Sequence, residues 1–269
     1  MTLEILICTY NERISSVPNM LMQPMHNISY IVSWQQNAEP ASLPKIPDGL
    51  KRDDVKIVTM QGKGLSANRN NAISHASGDI CLIADDDLTY IPNHVAHIVE
   101  IFESHPTLDI ATFKYDSKNA PKSYPSYSFD LRQPAKGYYV SSIEIAFRRK
   151  SIQNKIRFNA LFGANAPVLN AGEENVFILD AINAGLNCFF FPYTIARHDH
   201  APTSSRLAED PHYLMSNGAY IYLAYKDGTA PLRYAMFAWR SCDNPLKFFT
   251  ALRHVLQGVK YIKKNYVPA

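Results

Sequence analysis

The chain has 269 residues, 46% of them hydrophobic and 19% charged, and a net charge of +3. That length suits one large domain, or one domain with an appendage. The weak charge, with no Arg/Lys cluster interleaved with aromatics along the main body, argues against a nucleic-acid partner. No apolar stretch approaches the ~20 residues a bilayer crossing needs, and Cys8, Cys81, Cys188 and Cys242 fit no zinc spacing.

Cys8, Cys81 and Cys188 lie in apolar, strand-like runs and read as buried free thiols. The amino terminus leads straight into such a run, with no charged-then-apolar leader. The expected location is therefore cytoplasmic, with room for a peripheral contact at the inner face of the membrane.

Residues 4–9, 29–34 and 55–60 are apolar and β-prone. The spacing predicts a helix over 66–76, with Ser66 as N-cap and Gly78 as C-cap. A fourth strand follows over 80–84, then a helix from Pro92 to about residue 104, since proline is tolerated in a first turn. Strand and helix in alternation predict an α/β domain with a mainly parallel sheet. Residues 116–136, rich in Pro, Ser, Tyr and Lys, read as a long loop. Residues 138–147 read as a strand, 173–184 as a helix closed by Gly185, and 188–196 as a strand-like run interrupted by Pro192. From residue 211 the chain reads as helical, aromatic and basic.

Asp85, Asp86 and Asp87 end the fourth strand and so sit at a sheet rim. Three adjacent carboxylates repel one another unless a cation lies between them. Oxygen ligands suit Mg2+ or Mn2+, which such sites bridge to substrate phosphates. The plain alternative is a solvated acidic turn. In parallel sheets ligands bind beyond the carboxyl ends of the strands, and Thr9, Tyr10, Asn11 and Glu12 fall on that same edge.

Three further groups carry chemistry. Glu173 and Glu174 open a helix, where the dipole favours carboxylates; they serve as capping groups or as a general base. His198, Asp199 and His200 follow a strand. Histidines two apart on extended chain point the same way, and either could complete a metal site. The run from Gly62 to Asn70 is neither a Walker loop nor a dinucleotide fingerprint. It is still a glycine-bearing turn into a helix, and Arg69 could hold diphosphate there. Together these are the parts for breaking a sugar–phosphate bond.

The order of ILICTYNE, GLSANRNNAISHASGDICLIADDDLTYIP, FNALFGANAPVLNAGEENVFILDAINAGLNCFFFP and HDHAPTSS, spanning residues 3–205, resembles the family 2 glycosyltransferases of the GT-A fold. The resemblance implies a Rossmann-related mixed sheet with helices on both faces over residues 1–205, and a helical extension over 206–269. It implies that Thr9 and Tyr10, with Glu12, hold the nucleotide, and that Arg69 approaches its diphosphate. Asp85 and Asp86 would contact ribose or donor sugar, and Asp87 would bind Mn2+ or Mg2+ with His200 as first choice of histidine and His198 as second. Glu174, with Glu173 beside it, would be the base. The family's usual Glu-Asp pair is Glu-Glu here, and the acidic residue often found after the second strand is replaced by Ser33-Trp34-Gln35-Gln36.

The implied activity is metal-dependent, inverting transfer of a sugar, most often from a UDP-sugar, to a glycan or lipid-linked acceptor in surface polysaccharide assembly. The tail's Tyr220, Tyr222, Tyr225, Tyr234, Trp239, Phe248 and Phe249 suit such an acceptor or a membrane interface; packing of the tail onto the sheet domain is the preferred alternative. A non-catalytic nucleotide-sugar or glycan-binding protein on the same scaffold is the rival from another class. A nucleotidyltransferase ranks below it, because TYNERISS is not a triphosphate loop.

Overall fold

The computed structural model describes residues 1–39, 42–119, 121–199, 210–242 and 244–267. The chain forms two compact units. The first comprises residues 1–63, 67–157 and 181–200, the second 64–66, 158–180 and 201–269.

The first unit is built on a nine-stranded sheet. Its strands are β1 (Leu3–Tyr10), β2 (Ile28–Gln36), β3 (Val55–Gln61), β4 (Ile80–Asp85), β5 (Thr89–Tyr90), β6 (Ile110–Asp116), β7 (Phe129–Asp130), β8 (Ile145–Arg148) and β9 (Cys188–Arg197). They lie in the order β3-β2-β1-β4-β8-β6-β9-β5, with β7 paired to β9. The first four in that order are parallel. β1 and β4 are buried nearly from end to end, as strands covered on both faces must be.

The sheet is mixed rather than mainly parallel. β8 runs antiparallel to both β4 and β6. Among the described residues no crossover helix separates β6 from β8, and without one the returning strand reverses direction. The strand expected over 138–147 is confined to β8. Ahead of it, Ser141 and Glu144 close a capping box around a 3-10 turn, so backbone groups that a longer strand would pair are taken by side chains.

Helix α1 (Leu65–His75) starts one residue before Ser66 and ends three before Gly78. Ser66 does not cap it; its hydroxyl donates to the Phe162 carbonyl, 2.7 Å away. Gly78 instead donates its N–H to the Glu4 carboxylate. Helix α2 (Pro92–Ser104) has proline at its start as expected. The short helix α3 (Arg149–Ile152) follows β8 directly, and α4 (Glu173–Asn183) ends before Gly185, whose φ is +84°. β9 runs through Pro192 with a register shift. Thr112 pairs with Phe190 but Lys114 with Thr194, a bulge that accommodates the missing N–H. Cys8, Cys81 and Cys188 are buried free thiols, and burial pushes Cys8 and Cys188 up to about 12.

In the second unit, α5 (Pro211–Ala224), α6 (Ala230–Arg240) and α7 (Phe248–Asn265) pack together. Two glycines set the crossing of α5 and α7. A Cβ built on Gly218 would overlap the Val255 carbonyl, and one on Gly258 the Met215 carbonyl. Tyr220, Tyr222, Tyr225, Tyr234 and Phe248 pack into the helical clusters of this unit, whereas Trp239 and Phe249 stay exposed. Among the described residues no helix is long and apolar enough to cross a membrane.

Candidate donor and metal site

β1 and β4 run side by side with Cys8 opposite Asp85. That register carries Thr9 and Tyr10 to the same carboxyl edge as the acidic triplet. Asn11 turns the chain out of β1 with φ +45°, a conformation asparagine tolerates better than most residues. Its carbonyl accepts from Trp34 Nε1 at 2.8 Å and its side chain from the Asn37 N–H at 2.8 Å. Tyr10 is half-buried there and Glu12 is exposed.

The three aspartates have different surroundings. Asp86 is 4% exposed. It accepts from Thr9 Oγ1 at 2.7 Å and from Arg13 through both Nε, at 3.0 Å, and Nη2. Burial raises its carboxyl above the usual range, against the pull of Arg13 and Thr9. Asp85, 35% exposed on its side chain, accepts from Arg69 Nη2 at 3.2 Å. Arg69 is buried and also donates to Ser142 Oγ at 2.7 Å. Asp87 lies 3.4 Å from Arg13 Nη2 and 3.3 Å from His198 Nε2. The carboxylate beside His198 raises the imidazole's proton affinity; burial opposes this and Asp85 adds to it. β9 delivers His198, whose N–H donates to the Asp116 carbonyl at 2.8 Å, and the Tyr115 ring meets it edge-on.

Asn68 completes the floor. It is buried, donates to the Thr9 carbonyl at 3.0 Å, and its Oδ1 has no hydrogen-bond partner among the described residues. Beyond His198, Lys114, Lys118, Lys122, Arg197 and Tyr124 line a cavity of about 430 Å3. Lys122 is turned inward onto the buried Glu144 carboxylate, 2.5 Å away.

An aspartate and an imidazole 3.3 Å apart form an oxygen-plus-nitrogen donor pair that suits Mn2+ and related divalent ions. No group of three or more His, Cys, Asp or Glu side chains is arranged to hold a metal among the described residues. A pair fits ions that keep waters and substrate phosphates as their other ligands. His200, the first-choice histidine, lies outside the described residues, as do Ser204 and Ser205.

In the second unit Glu173 and Glu174 occupy the first turn of α4. Glu173 is buried against Gly163, at φ +104°; a Cβ there would sit 3.1 Å from the Glu173 carboxyl carbon and 3.0 Å from Ser66 Oγ. Glu174 is half-exposed and accepts from its neighbour Asn175 at 2.8 Å.

Arg13, Asn68 and Ser142 were missed from sequence. Arg13 had a usable signal, because three adjacent carboxylates require a counter-charge and Arg13 lies one residue past Glu12. Ser142 had none; its partner Arg69 is 73 residues away.

The sequence model of glycosyl transferase family 2 matches residues 4–165. No curated protein sequence matches the chain. Among solved structures, S. aureus TarS is similar at a TM-score of 0.59 and 13% identity, over 99% of this chain and 55% of TarS, so the chain spans about half of that protein's length. TarS 1-349 in complex with UDP-GlcNAc gives 0.59 at 14% identity, over 96% and 82%. Mannosyltransferase PcManGT from Pyrobaculum calidifontis, in complex with GDP-Man and Mn2+, gives 0.58 at 14% identity, over 99% and 76%. At such identities the likeness is one of fold, and it is to GT-A glycosyltransferases, as the motif order implied. Matched in sequence over more than half its length, the chain belongs to glycosyl transferase family 2.

Proposed function

We propose that the chain is an inverting glycosyltransferase that moves a sugar from a nucleotide-diphosphate sugar, a UDP-sugar first among them, to an acceptor hydroxyl on a glycan or lipid-linked carrier. Surface polysaccharide assembly on the cytoplasmic side is the process this serves. The observation that carries the proposal is the Asp87–His198 pair at the carboxyl edge of the parallel strands, in a family 2 chain. The UDP-GlcNAc and GDP-Man held by two structural neighbours support a nucleotide-sugar donor.

Asp87 and His198 would hold the divalent ion, Mn2+ or Mg2+, which when bound neutralises charge building on the departing diphosphate. His200 stays a further candidate ligand. Thr9, Tyr10 and Glu12, at the carboxyl edge of β1, are the proposed contacts to the nucleotide base and ribose, with the Tyr10 ring to stack. Arg69, fixed between Asp85 and Ser142, sets the positive charge for the diphosphate, and Asp85 offers carboxylate surface to ribose or sugar. Asp86 belongs to the same donor set but spends its oxygens on Thr9 and Arg13, so it orients the wall of the site. The cavity beyond His198, where Lys114, Lys118 and Arg197 outnumber Asp116, suits an anionic group of the substrate. Glu174 is the proposed general base, since it is half-exposed while the Glu173 carboxylate is packed under Gly163. We assign residues 1–205 to donor binding and catalysis and 206–269 to the acceptor side.

Thermal shift against a set of nucleotide sugars, with and without Mn2+, identifies the donor, because a ligand of the folded state raises the melting point. Asp87→Ala is expected to abolish the Mn2+-dependent part of that shift. Glu174→Gln is expected to keep it and to lose transfer. If wild type and Asp87→Ala bind a nucleotide sugar equally and neither turns it over, the chain is a binding protein instead.

A further inference from the structure

Exposed apolar side chains concentrate in the last two helices of the second unit. On α6, Leu232, Met236 and Trp239 recur at i, i+4 and i+7, which places them on one face, and Leu232 is 65% and Trp239 58% exposed. Tyr234 and Ala238, on the opposite face, are buried. The patch continues through the connection to α7, where Leu246 is 86% exposed, into the first turn of α7, where Phe249 is 78% exposed. The rings of Trp239 and Phe248 are 6.0 Å apart, and those of Phe248 and Phe249 5.2 Å, so the surface is contiguous. Met236, Trp239, Arg240 and Phe248 line a shared shallow depression on it.

Charge is segregated in the same segment. Between residues 230 and 267 there are seven Lys or Arg (Arg233, Arg240, Lys247, Arg253, Lys260, Lys263 and Lys264) and one acid, Asp243. That leaves 20 of the chain's 27 basic residues and 23 of its 24 acids elsewhere, a slightly acidic remainder. On α7 the exposed positions Phe249, Arg253, Leu256, Lys260 and Lys264 follow helical spacing along one side. An aromatic and aliphatic tip flanked by charge of one sign is what an interfacial helix needs to enter the headgroup region of a bilayer.

We propose that this face of α6 and α7 docks on an anionic phospholipid surface, with Trp239, Leu246 and Phe249 inserted among the acyl chains and Arg240, Lys247 and Arg253 on the phosphates. A second copy of the chain is a poor occupant, because it would set Arg240, Lys247 and Arg253 of one face against the same three cations of the other; like-charge contact of that kind is costly. Docking places the protein where a lipid-linked acceptor would be, yet its readout does not depend on glycosyl transfer.

The test is flotation of the full chain with vesicles of phosphatidylcholine alone and with about one-third phosphatidylglycerol. The chain has two tryptophans, and Trp34 is buried with its indole N–H bonded to the Asn11 carbonyl. A blue shift of emission on adding vesicles therefore reports Trp239. The expected result is flotation and a blue shift with the anionic vesicles at low salt, both weakened as salt screens the charges, and neither with phosphatidylcholine. Neutralising Arg240, Lys247 and Arg253 to Gln should lower partitioning by about fivefold each, or roughly a hundredfold together. Phe249→Ser, at an exposed position, should weaken it with unchanged circular dichroism. Absence of flotation on anionic vesicles at low salt overturns the proposal. So does a dimer in sedimentation that Trp239→Ser dissolves while vesicle binding stays absent.

Discussion

Replacing Lys122 by methionine should cost about 3–4 kcal/mol at pH 7, with the deficit fading as pH falls. The Lys122 and Glu144 side chains are 2% and 0% exposed, with Nζ 2.5 Å from Oε1. Glu144 also accepts from the Tyr124 hydroxyl at 2.6 Å and the Ser141 N–H at 3.1 Å. Methionine keeps most of the aliphatic stem but leaves a carboxylate with two donors and no counter-charge. Breaking a buried pair in this way costs about 3–5 kcal/mol. The carboxyl can escape by taking up a proton, which limits the loss. From an unfolded value near 4.3, at ~1.4 kcal/mol per pH unit, protonation at pH 7 costs about 3.7 kcal/mol and at pH 5 about 1 kcal/mol. The sign follows from burial, which already holds Glu144 above the ordinary carboxyl range. Losing Lys122 raises it further, so the variant is least impaired below the unfolded value and loses stability as pH rises through the folded one. Urea unfolding of wild type and variant at pH 5, 6 and 7 measures the difference directly. Adding Glu144→Gln should recover most of it, since no charge is then buried. A deficit under 1 kcal/mol at pH 7, or one that does not shrink with acid, would refute the account. The Ser141–Glu144 turn also carries Ser142, the partner of Arg69, so weaker donor binding should accompany the loss.

Two more outcomes follow from the packing. Arg13→Ala leaves Asp86 with Thr9 as its remaining side-chain donor among those described. Arg13 is about half exposed, so water partly replaces it, and the expected loss is about 1–2 kcal/mol, read by urea unfolding; no change in midpoint would make the ion pair irrelevant. Gly258→Ala should destabilise by about 1–3 kcal/mol or more, because the new Cβ overlaps the Met215 backbone carbonyl, which cannot rotate away. Intrinsic helix propensity alone predicts a gain of about 1 kcal/mol for the same change, so thermal melting decides the matter by its sign.

Much of the sheet was legible because its signal is local. β1, β2 and β4 carry apolar runs and β3 a β-branched, partly alternating one, and the observed limits of all four fall within two residues of those expected. The acidic triplet was placed at a strand end because Asp85 closes β4. The segment before β8 departs from a strand because side chains claim its backbone: the Tyr139 carbonyl by Lys122, 17 residues away, and the Ser141 N–H by Glu144 in the capping box. The first partner leaves no periodicity in the chain, whereas the second follows a local Ser-x-x-Glu spacing that competes with the strand pattern.

The chain's own order of residues determined the parallel strands and the aspartates at their carboxyl edge, since each depends on composition over a few neighbouring positions, and the family, through the order of motifs along the chain. Tertiary structure decided which partner each aspartate meets. The triplet is uniform as text, but Arg13 and Thr9 enclose Asp86, Arg69 reaches Asp85, and His198 comes to Asp87 from 111 residues away. Chain geometry at long range, rather than residue type, assigns those three identical side chains their separate partners.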